Sequence, residues 1–315
     1  MAHKNTGSAL ISALFMMTLI AIAVTAMSVR LQQDIQRTQF SITTDKLYLA
    51  SQAVTFWAMQ LLSEKTVPTD PKLFEFPKTR AHDVPGIITT GKIIDLQARF
   101  NINQLKDTPS DKKNQQYKAA FYLLLNHLLT KTPPETHRLI MEAVKHWVND
   151  DVKGKGLDEL TRYYAQQHPP YAPSHQLMRS ISEFRLVKGV DDETYQTLLP
   201  YLIALPIPTT ININTAPAPI LMTLGHGIEE KEAEAIVSMR GMFGFKNMDQ
   251  VNELLKKHEI SVDEISLESN YFLAIATTKT QNSELELVHY TILKREEAKN
   301  KQMTVRIIQD SLNDY

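Results

Sequence analysis

This 315-residue chain contains no cysteine, little glycine and no excess of charge of either sign. The absence of cysteine excludes disulfides, thiolate metal sites and a cysteine nucleophile. Ten glycines leave little material for the glycine-rich loops that bind phosphate groups. Lys and Arg number 34 against 35 Asp and Glu, which argues against a protein that coats nucleic acid. At about 150 residues per domain, the length predicts about two structural units.

One segment departs strongly from the polar average of the chain. Residues 5–29 contain no charged side chain. As a helix they would be about 37 Å long, enough to cross a hydrocarbon core of about 30 Å. A secretory signal peptide has a shorter apolar region followed by a cleavage site of small residues, so residues 5–29 predict a retained membrane helix.

The helical pattern continues beyond the apolar segment. No Pro or Gly occurs between Ser8 and Pro68, so the sequence predicts one long helix over 8–62. Within its second half, a stripe of apolar residues recurs every three or four positions and predicts a face that packs on a globular head: Ala50, Val54, Trp57 and Leu61. The alternative is a signal anchor followed by an unrelated helix.

The junction before the apolar segment carries a resemblance to a known class. A short polar leader ends in Gly7, and the hydrophobic run begins at Ser8. This resembles the prepilins, whose leader is removed on the cytoplasmic side after a glycine. The resemblance implies cleavage between Gly7 and Ser8 by prepilin peptidase, followed by methylation of Ser8. Most prepilins carry Glu at the fifth mature position, where this chain has Ser12. That departure is typical of the K-type minor pseudopilins of type II secretion.

Four further segments support this resemblance. Residues 95–105 look like the family's D-x-x-x-RFN-x-N-x-L stretch, and 146–164 look like its Trp-acidic-Gly-acidic-Tyr segment. Residues 180–206 resemble an S-x-x-EL-x-x-V-x-G-V segment, with Phe184 in place of the usual Leu, and 210–224 match an N-x-NTA segment. The chain is therefore identified as a member of the K-type minor pseudopilin family.

The C-terminal region predicts a sheet. Residues 271–279, 284–295 and 303–308 alternate or are rich in β-branched residues, which predicts an antiparallel three-strand meander. A meander of this size needs a cover for its apolar face, and the stripe of the long helix is the natural partner.

The sequence therefore predicts an α+β, pilin-like fold: a long N-terminal helix packed on a small antiparallel sheet, with a large inserted all-α domain. The expected divisions are the prepilin leader (1–7), the transmembrane helix (8–29), the helix continuation and first part of the pseudopilin domain (30–105), the inserted α-domain (106–265) and the C-terminal strands that complete the pseudopilin domain (266–315).

Two further features of the sequence bear on the helical region. The pairs Asn101/Asn103 and Asn212/Asn214 each precede a helical run and look like a weak internal repeat, which favours turn and N-cap roles. Residues 219–254 resemble a helix-hairpin-helix unit, a motif that often binds DNA phosphates through backbone N–H groups. Four Glu between positions 225 and 240 match a phosphate backbone poorly and favour protein packing instead.

An acidic loop is the candidate metal site. Carboxylate and amide oxygens flank the glycine-containing segment KGKG, and hard oxygen ligands on a flexible loop suit calcium. The resemblance implies calcium in the head region as well. The competing interpretation is a solvated cluster at helix ends, which Lys153 and Lys155 favour because they offset the charge. The candidate ligands are Asn149, Asp150, Asp151, Asp158 and Glu159.

The function that the resemblance implies is structural, with no catalytic residue. The chain is expected to stand at the tip of the type II secretion pseudopilus, anchored in the inner membrane with a periplasmic head, and to support export of folded proteins. Expected partners are the I- and J-type minor pseudopilins, prepilin peptidase and secreted substrates, without nucleic acid. The alternative is a membrane-anchored pilus-type or helix-hairpin-helix protein that binds DNA. A third class, a periplasmic hydrolase, has no recognisable motif to support it.

Overall fold

A computed structural model of the chain describes residues 6–65, 74–81, 83–150, 159–241, 243–282, 284–299 and 301–313. The helices in these ranges are α1 (Thr6–Leu62), α2 (Asp111–Leu128), α3 (Pro134–Val148), α4 (Glu159–Ala165), α5 (Asp192–Leu198), α6 (Ala218–Leu221), α7 (Glu230–Arg240) and α8 (Asn252–Lys257). The strands are β1 (Ile87–Asp95), β2 (Phe100–Asn101), β3 (Leu202–Ile203), β4 (Ile211–Asn212), β5 (Ile265–Ser266), β6 (Tyr271–Thr280), β7 (Glu286–Glu297) and β8 (Met303–Leu312).

Helix α1 is continuous over 57 residues, or about 85 Å. Residues 9–42 are exposed around the whole circumference although most of them are apolar, and this part of the helix is long and apolar enough to cross a membrane. From Leu47 onward one side of the helix is buried against a sheet. The continuous helix agrees with the sequence prediction, and the alternative of two unrelated helices is wrong.

The buried stripe of α1 differs from the predicted one. One row of fully covered positions follows a regular four-residue step, and a second row lies beside it: Ala50, Val54, Ala58 and Leu62 in the first, and Leu47, Ser51 and Thr55 in the second. Trp57 and Leu61, which were predicted for the stripe, are only partly buried beside it. The small Ala58 makes the close contact with the sheet. The large Trp57 ring packs edge-on against the Phe76 ring, with the ring centroids 5.6 Å apart.

The head sheet has four strands in the order β1-β6-β7-β8, all antiparallel. The predicted meander corresponds to β6, β7 and β8. Strand β1 was not predicted, and it pairs with β6 along its full length, from Ile87 opposite Thr280 to Asp95 opposite Phe272. Its sequence IITTGKIID is rich in β-branched residues, but Gly91 interrupts the pattern.

Gly91 is required by the approach of α1. A Cβ atom built at Gly91 would lie 2.5 Å from Cγ1 and 2.9 Å from Cγ2 of Val54, far inside van der Waals contact. The residue that weakens the strand signal in the sequence is therefore the one that lets the helix pack on the sheet.

The C-terminal end of α1 is capped by a buried arginine from β7. Arg295 is 2% exposed, and its Nε donates a hydrogen bond to the carbonyl of Leu62 at 3.0 Å. Its Nη2 donates to the carbonyls of Glu64 and Lys65 at 3.0 and 2.9 Å. These bonds satisfy carbonyl groups that the end of a helix leaves without partners, and they place a cation at the negative end of the helix dipole.

The helical region lies between β1 and β6 in the sequence and covers the second face of the sheet. Ile203 and Leu205 pack on this face against Leu96, Leu273 and Ile292. A large separate core joins α2, α3, α5 and α7 within the helical region. The sheet is thus held between α1 on one face and the helical region on the other.

Candidate functional site

The predicted processing junction lies at the start of α1. Gly7 and Ser8 belong to this helix, while residues 1–5 of the leader lie outside the described residues. Ser12 is exposed on the helix surface. The apolar segment that follows Ser8 therefore continues without a break into the helix that supports the head, as a prepilin architecture requires.

Asp95 links the sheet to the helical region. Its side chain accepts hydrogen bonds from the backbone N–H of Gln97 at 2.8 Å, from Asn212 Nδ2 at 3.0 Å and from Ser269 Oγ at 2.7 Å. Thr215 Oγ1 supplies a fourth donor. Burial raises the pKa of the Asp95 carboxyl above its ordinary value, and the four hydrogen bonds oppose that shift. The first residue of the D-x-x-x-RFN motif is therefore a structural junction.

The first asparagine pair closes the first part of the helical region. Asn101 Oδ1 accepts from the backbone N–H groups of Asn103 and Leu205 at 3.2 and 3.0 Å, and Asn101 Nδ2 donates to the Ile207 carbonyl at 2.8 Å. Asn103 pairs with both backbone groups of Met178 at 2.9 Å. These bonds hold β2 in its short parallel pairing with β3.

The second pair repeats the arrangement. Asn212 Oδ1 accepts from the Asn214 N–H at 2.9 Å, and Asn214 pairs with the N–H and carbonyl of Phe245 at 2.7 and 3.0 Å. Strand β4 pairs in parallel with β5, as β2 does with β3. The weak repeat in the sequence is therefore a repeated structural clamp. The turn role predicted for Asn101 and Asn212 is confirmed, and their part in closing two units was missed because their partners are distant in sequence.

Other motif residues also form the core of the helical region. Trp147 Nε1 donates to Glu183 Oε2 at 3.1 Å, and the Trp147 ring meets the Tyr164 ring edge-on at 5.6 Å. Tyr164 Oη accepts from the Lys188 N–H at 3.1 Å. Two segments that are distant in the sequence thus share one buried cluster, whose role is to maintain the fold.

The candidate calcium ligands are only partly described. Asp151 and Asp158 lie outside the described residues. Asn149 Oδ1 accepts from the Asp107 N–H at 2.7 Å, so Asn149 acts in the structure as a helix-end clamp. Asp150 pairs with Lys106 at 3.1 Å and Glu159 with Lys188 at 3.3 Å, both carboxylates being largely exposed. Within the described ranges, no group of three or more acidic or His side chains could hold a metal ion.

A Ser-His-Asp arrangement forms from three residues that no sequence motif connects. Ser51 Oγ lies 2.9 Å from His289 Nδ1, and His289 Nε2 contacts Asp310. In serine hydrolases the serine faces Nε2 and the aspartate faces Nδ1, which is the reverse of this arrangement. Ser51 is completely buried, and its hydroxyl donates to the Tyr48 carbonyl at 2.7 Å. The three side chains connect α1 to β7 and β8, and no substrate can reach Ser51.

The helix-hairpin-helix-like unit uses its phosphate-binding groups internally. The N–H of Gly225 donates to Glu264 Oε2 at 3.3 Å, so a carboxylate stands beside the turn where a phosphate would bind. Arg240 Nη1 donates to the carbonyls of Ile213 and Ala216 at 2.9 and 2.7 Å. The unit therefore packs on the second asparagine clamp, and the geometry favours the protein-packing interpretation.

Comparison with known proteins adds independent evidence. The family described as "Type II secretion system (T2SS), protein K" matches residues 98–207 and 211–267. The first range runs from the first asparagine clamp past β3, and the second from β4 to just beyond β5. The family boundaries therefore coincide with the two units that the asparagine pairs close.

Relatives and a solved structure agree. Type II secretion system protein K of Pectobacterium carotovorum is 32% identical over 179 residues, 54% of each chain. That of Aeromonas hydrophila is 30% identical over 231 residues, 68% of each chain. The chain thus spans about half the length of the first relative and about two thirds of the second.

The fold is similar to a chain in the crystal structure of the GspK-GspI-GspJ complex from the type 2 secretion system of enterotoxigenic Escherichia coli. The TM-score is 0.68 at 23% identity, over 89% of this chain and all of that chain. The α+β, pilin-like fold predicted from the sequence is confirmed. By its motifs, its fold and its relatives, the chain belongs to the protein K family of the type II secretion system.

Proposed function

We propose that the chain is the K-type minor pseudopilin at the tip of a type II secretion pseudopilus. The observation that carries the proposal is α1, whose apolar first half is exposed all round while its second half is buried on one side against the head sheet. A helix of this kind suits a subunit that first sits in a membrane and then packs in a filament. Membership of the protein K family identifies the filament as that of a type II secretion system.

The location and partners follow from this proposal. The apolar helix anchors the precursor in the inner membrane, and the head stands in the periplasm. The I- and J-type minor pseudopilins are the proposed neighbours, supported by the complex that the solved relative forms. We assign no catalytic step to the chain, and its proposed role is to support filament assembly and the export of folded proteins.

Ser12 supports the position at the tip. In the prepilin resemblance, the Glu at the fifth mature position meets the N-terminal amine of a neighbouring subunit inside the membrane. A carboxylate at this depth needs such a partner, because an unpaired charge in hydrocarbon is costly. A subunit with Ser12 lacks that contact and is suited to be first in the filament.

Mass spectrometry of the mature N-terminus tests the proposal. Co-expression with the prepilin peptidase of the same system should remove residues 1–7 and leave a methylated Ser8. The variant Gly7→Leu should keep its leader under the same conditions, because the peptidase cuts after glycine. A native chain that retains Met1 in the presence of active peptidase contradicts the prepilin role.

We also propose that calcium binds at the acidic loop through Asp150 and Glu159. Both carboxylates are exposed and each pairs with one lysine, a type of surface pair worth about 0–1 kcal/mol that a divalent cation can displace. Asn149 fits the site less well because its oxygen already accepts a hydrogen bond. Asp151 and Asp158 complete the proposed ligand set.

Calcium binding should raise the thermal stability of the chain. At a free calcium concentration a hundred times Kd, linkage gives about 2.7 kcal/mol of stabilisation. The double variant Asp150→Asn with Glu159→Gln should lose this gain, and Asp263→Asn, an exposed acid elsewhere, should keep it. Equal Tm values with calcium and with chelator would show that the loop is a solvated acidic cluster.

A further inference from the structure

The two edges of the head sheet differ. The outer edge of β1 is covered, because the Thr89 N–H donates to the Ala81 carbonyl and the Phe76 N–H donates to the Gly91 carbonyl, both at 2.8 Å. Strand β8 forms the opposite edge over ten residues. In the described part of the chain, no segment covers β8 in this way. An uncovered edge is a template for pairing with another strand.

The backbone of β8 presents hydrogen-bonding groups to this open side. The Arg295 N–H donates to the Asn270 carbonyl at 2.7 Å, on the side of β7 away from β8. Arg295 is opposite Val305, so the N–H and C=O groups of this antiparallel pair point away from each other. By the same alternation, Val305 and Ile307 direct their N–H and C=O groups outward.

Apolar side chains lie beside these groups. Ile307 is 45% and Leu312 is 46% exposed. They are opposite Leu293 and His289, whose side chains point toward α1, so Ile307 and Leu312 also lie on the helix side of the sheet. A strand added to β8 would bond the outward backbone groups and cover both side chains at once.

We propose that β8 is a docking edge that accepts an extended strand from a different subunit of the secretion apparatus. The charge along the edge is polarised, with Lys299 and Lys301 at the β7–β8 turn and Asp310 toward the other end. The complementary strand carries an acidic residue beside the lysines, a basic residue beside Asp310 and apolar residues over Ile307 and Leu312.

The choice of a different subunit rests on the proposed function. A chain with Ser12 is suited to be first in the filament, so a second copy is not its neighbour. The I- and J-type subunits are then the nearest source of an added strand. A pairing of this kind gives affinity through main-chain hydrogen bonds and specificity through alternate side chains.

Hydrogen exchange of the full-length chain in detergent tests the proposal. It is measured with the chain alone and with purified I- and J-type subunits of the same system. The amides of Val305 and Ile307 should exchange at least tenfold more slowly in the complex. Ile307→Lys should weaken the complex at least tenfold, and Leu312→Lys should do the same. Ile207→Lys is the matched control, since Ile207 is also 45% exposed, and it should leave the affinity unchanged.

Each other outcome has a definite meaning. A complex in which the β8 amides exchange as fast as in the free chain overturns the docking edge and leaves the proposed function standing. Protection of β8 that rises with the concentration of the chain alone identifies a second copy and also overturns the proposal. If no complex forms with either subunit, both proposals fail.

Discussion

Replacing Arg295 by Met should lower the free energy of unfolding of the head by about 2–4 kcal/mol. The side chain is 2% exposed and donates to three backbone carbonyls at the end of α1. Met fills a similar volume but donates nothing, so the buried carbonyl of Leu62 loses its partner. The favourable interaction with the helix dipole is also lost.

Two controls separate this effect from a general loss of charge. Arg295→Lys keeps the positive charge, but the lysine ammonium lacks the planar guanidinium that reaches three carbonyls. The loss of unfolding free energy should therefore be intermediate. Arg306→Met removes an exposed arginine from the neighbouring strand and should change stability by about 0.5 kcal/mol or less. Urea unfolding followed by tryptophan fluorescence is suitable, because Trp57 lies at the helix–sheet contact and Trp147 in the helical region. Equal losses for Arg295→Met and Arg306→Met would contradict the capping role.

Replacing Gly91 by Ala should cost about 1–3 kcal/mol, although Ala is normally the better residue in a strand. The new Cβ would lie 2.5 Å from Val54 Cγ1 and 3.1 Å from the Ile275 carbonyl oxygen. Helix α1 or strand β1 must therefore move to accommodate one methyl group. Thr90→Ala, at an exposed position of the same strand, should change stability by about 0.5 kcal/mol or less.

A double variant tests the cause directly. Val54→Ala alone should be destabilising because it leaves a cavity under the helix. Combined with Gly91→Ala, it removes the methyl groups that clash with the new Cβ. The double variant should therefore lose less than the sum of the two single losses, with a coupling of about 0.5–3 kcal/mol. Strictly additive losses in urea unfolding would show that the two positions are not in contact.

The long helix and the meander could be predicted because their signals are local. An unbroken run without Pro or Gly specifies α1, and alternation specifies β6, β7 and β8. Strand β1 was missed because Gly91 serves a contact with Val54, which is 37 positions away. Ala58 and Leu62 were also missed as members of the buried stripe. The spacing of apolar residues allows either these two or the neighbouring Trp57 and Leu61 to face the sheet.

The candidate sites divide in the same way. The processing junction at Gly7 and Ser8 is a sequence signal, and it stays a prediction until the mature N-terminus is measured. The two asparagine pairs were visible as a repeat, but their partners Leu205 and Phe245 come from segments 31 to 104 residues distant. The cap formed by Arg295 has no sequence signature, since an arginine within a strand normally indicates an exposed position.

The sequence by itself determined the class of the protein: a membrane-length helix without helix breakers, a prepilin-like junction and a set of spaced family motifs. These features depend on composition and on neighbours a few positions apart. Only the tertiary structure decided how the head is held together, through Gly91 beneath the helix, Arg295 at its end, Asp95 at the junction and the asparagine clamps. Each of these residues acts on a backbone or side chain distant in sequence, and such proximity exists only once the chain has folded.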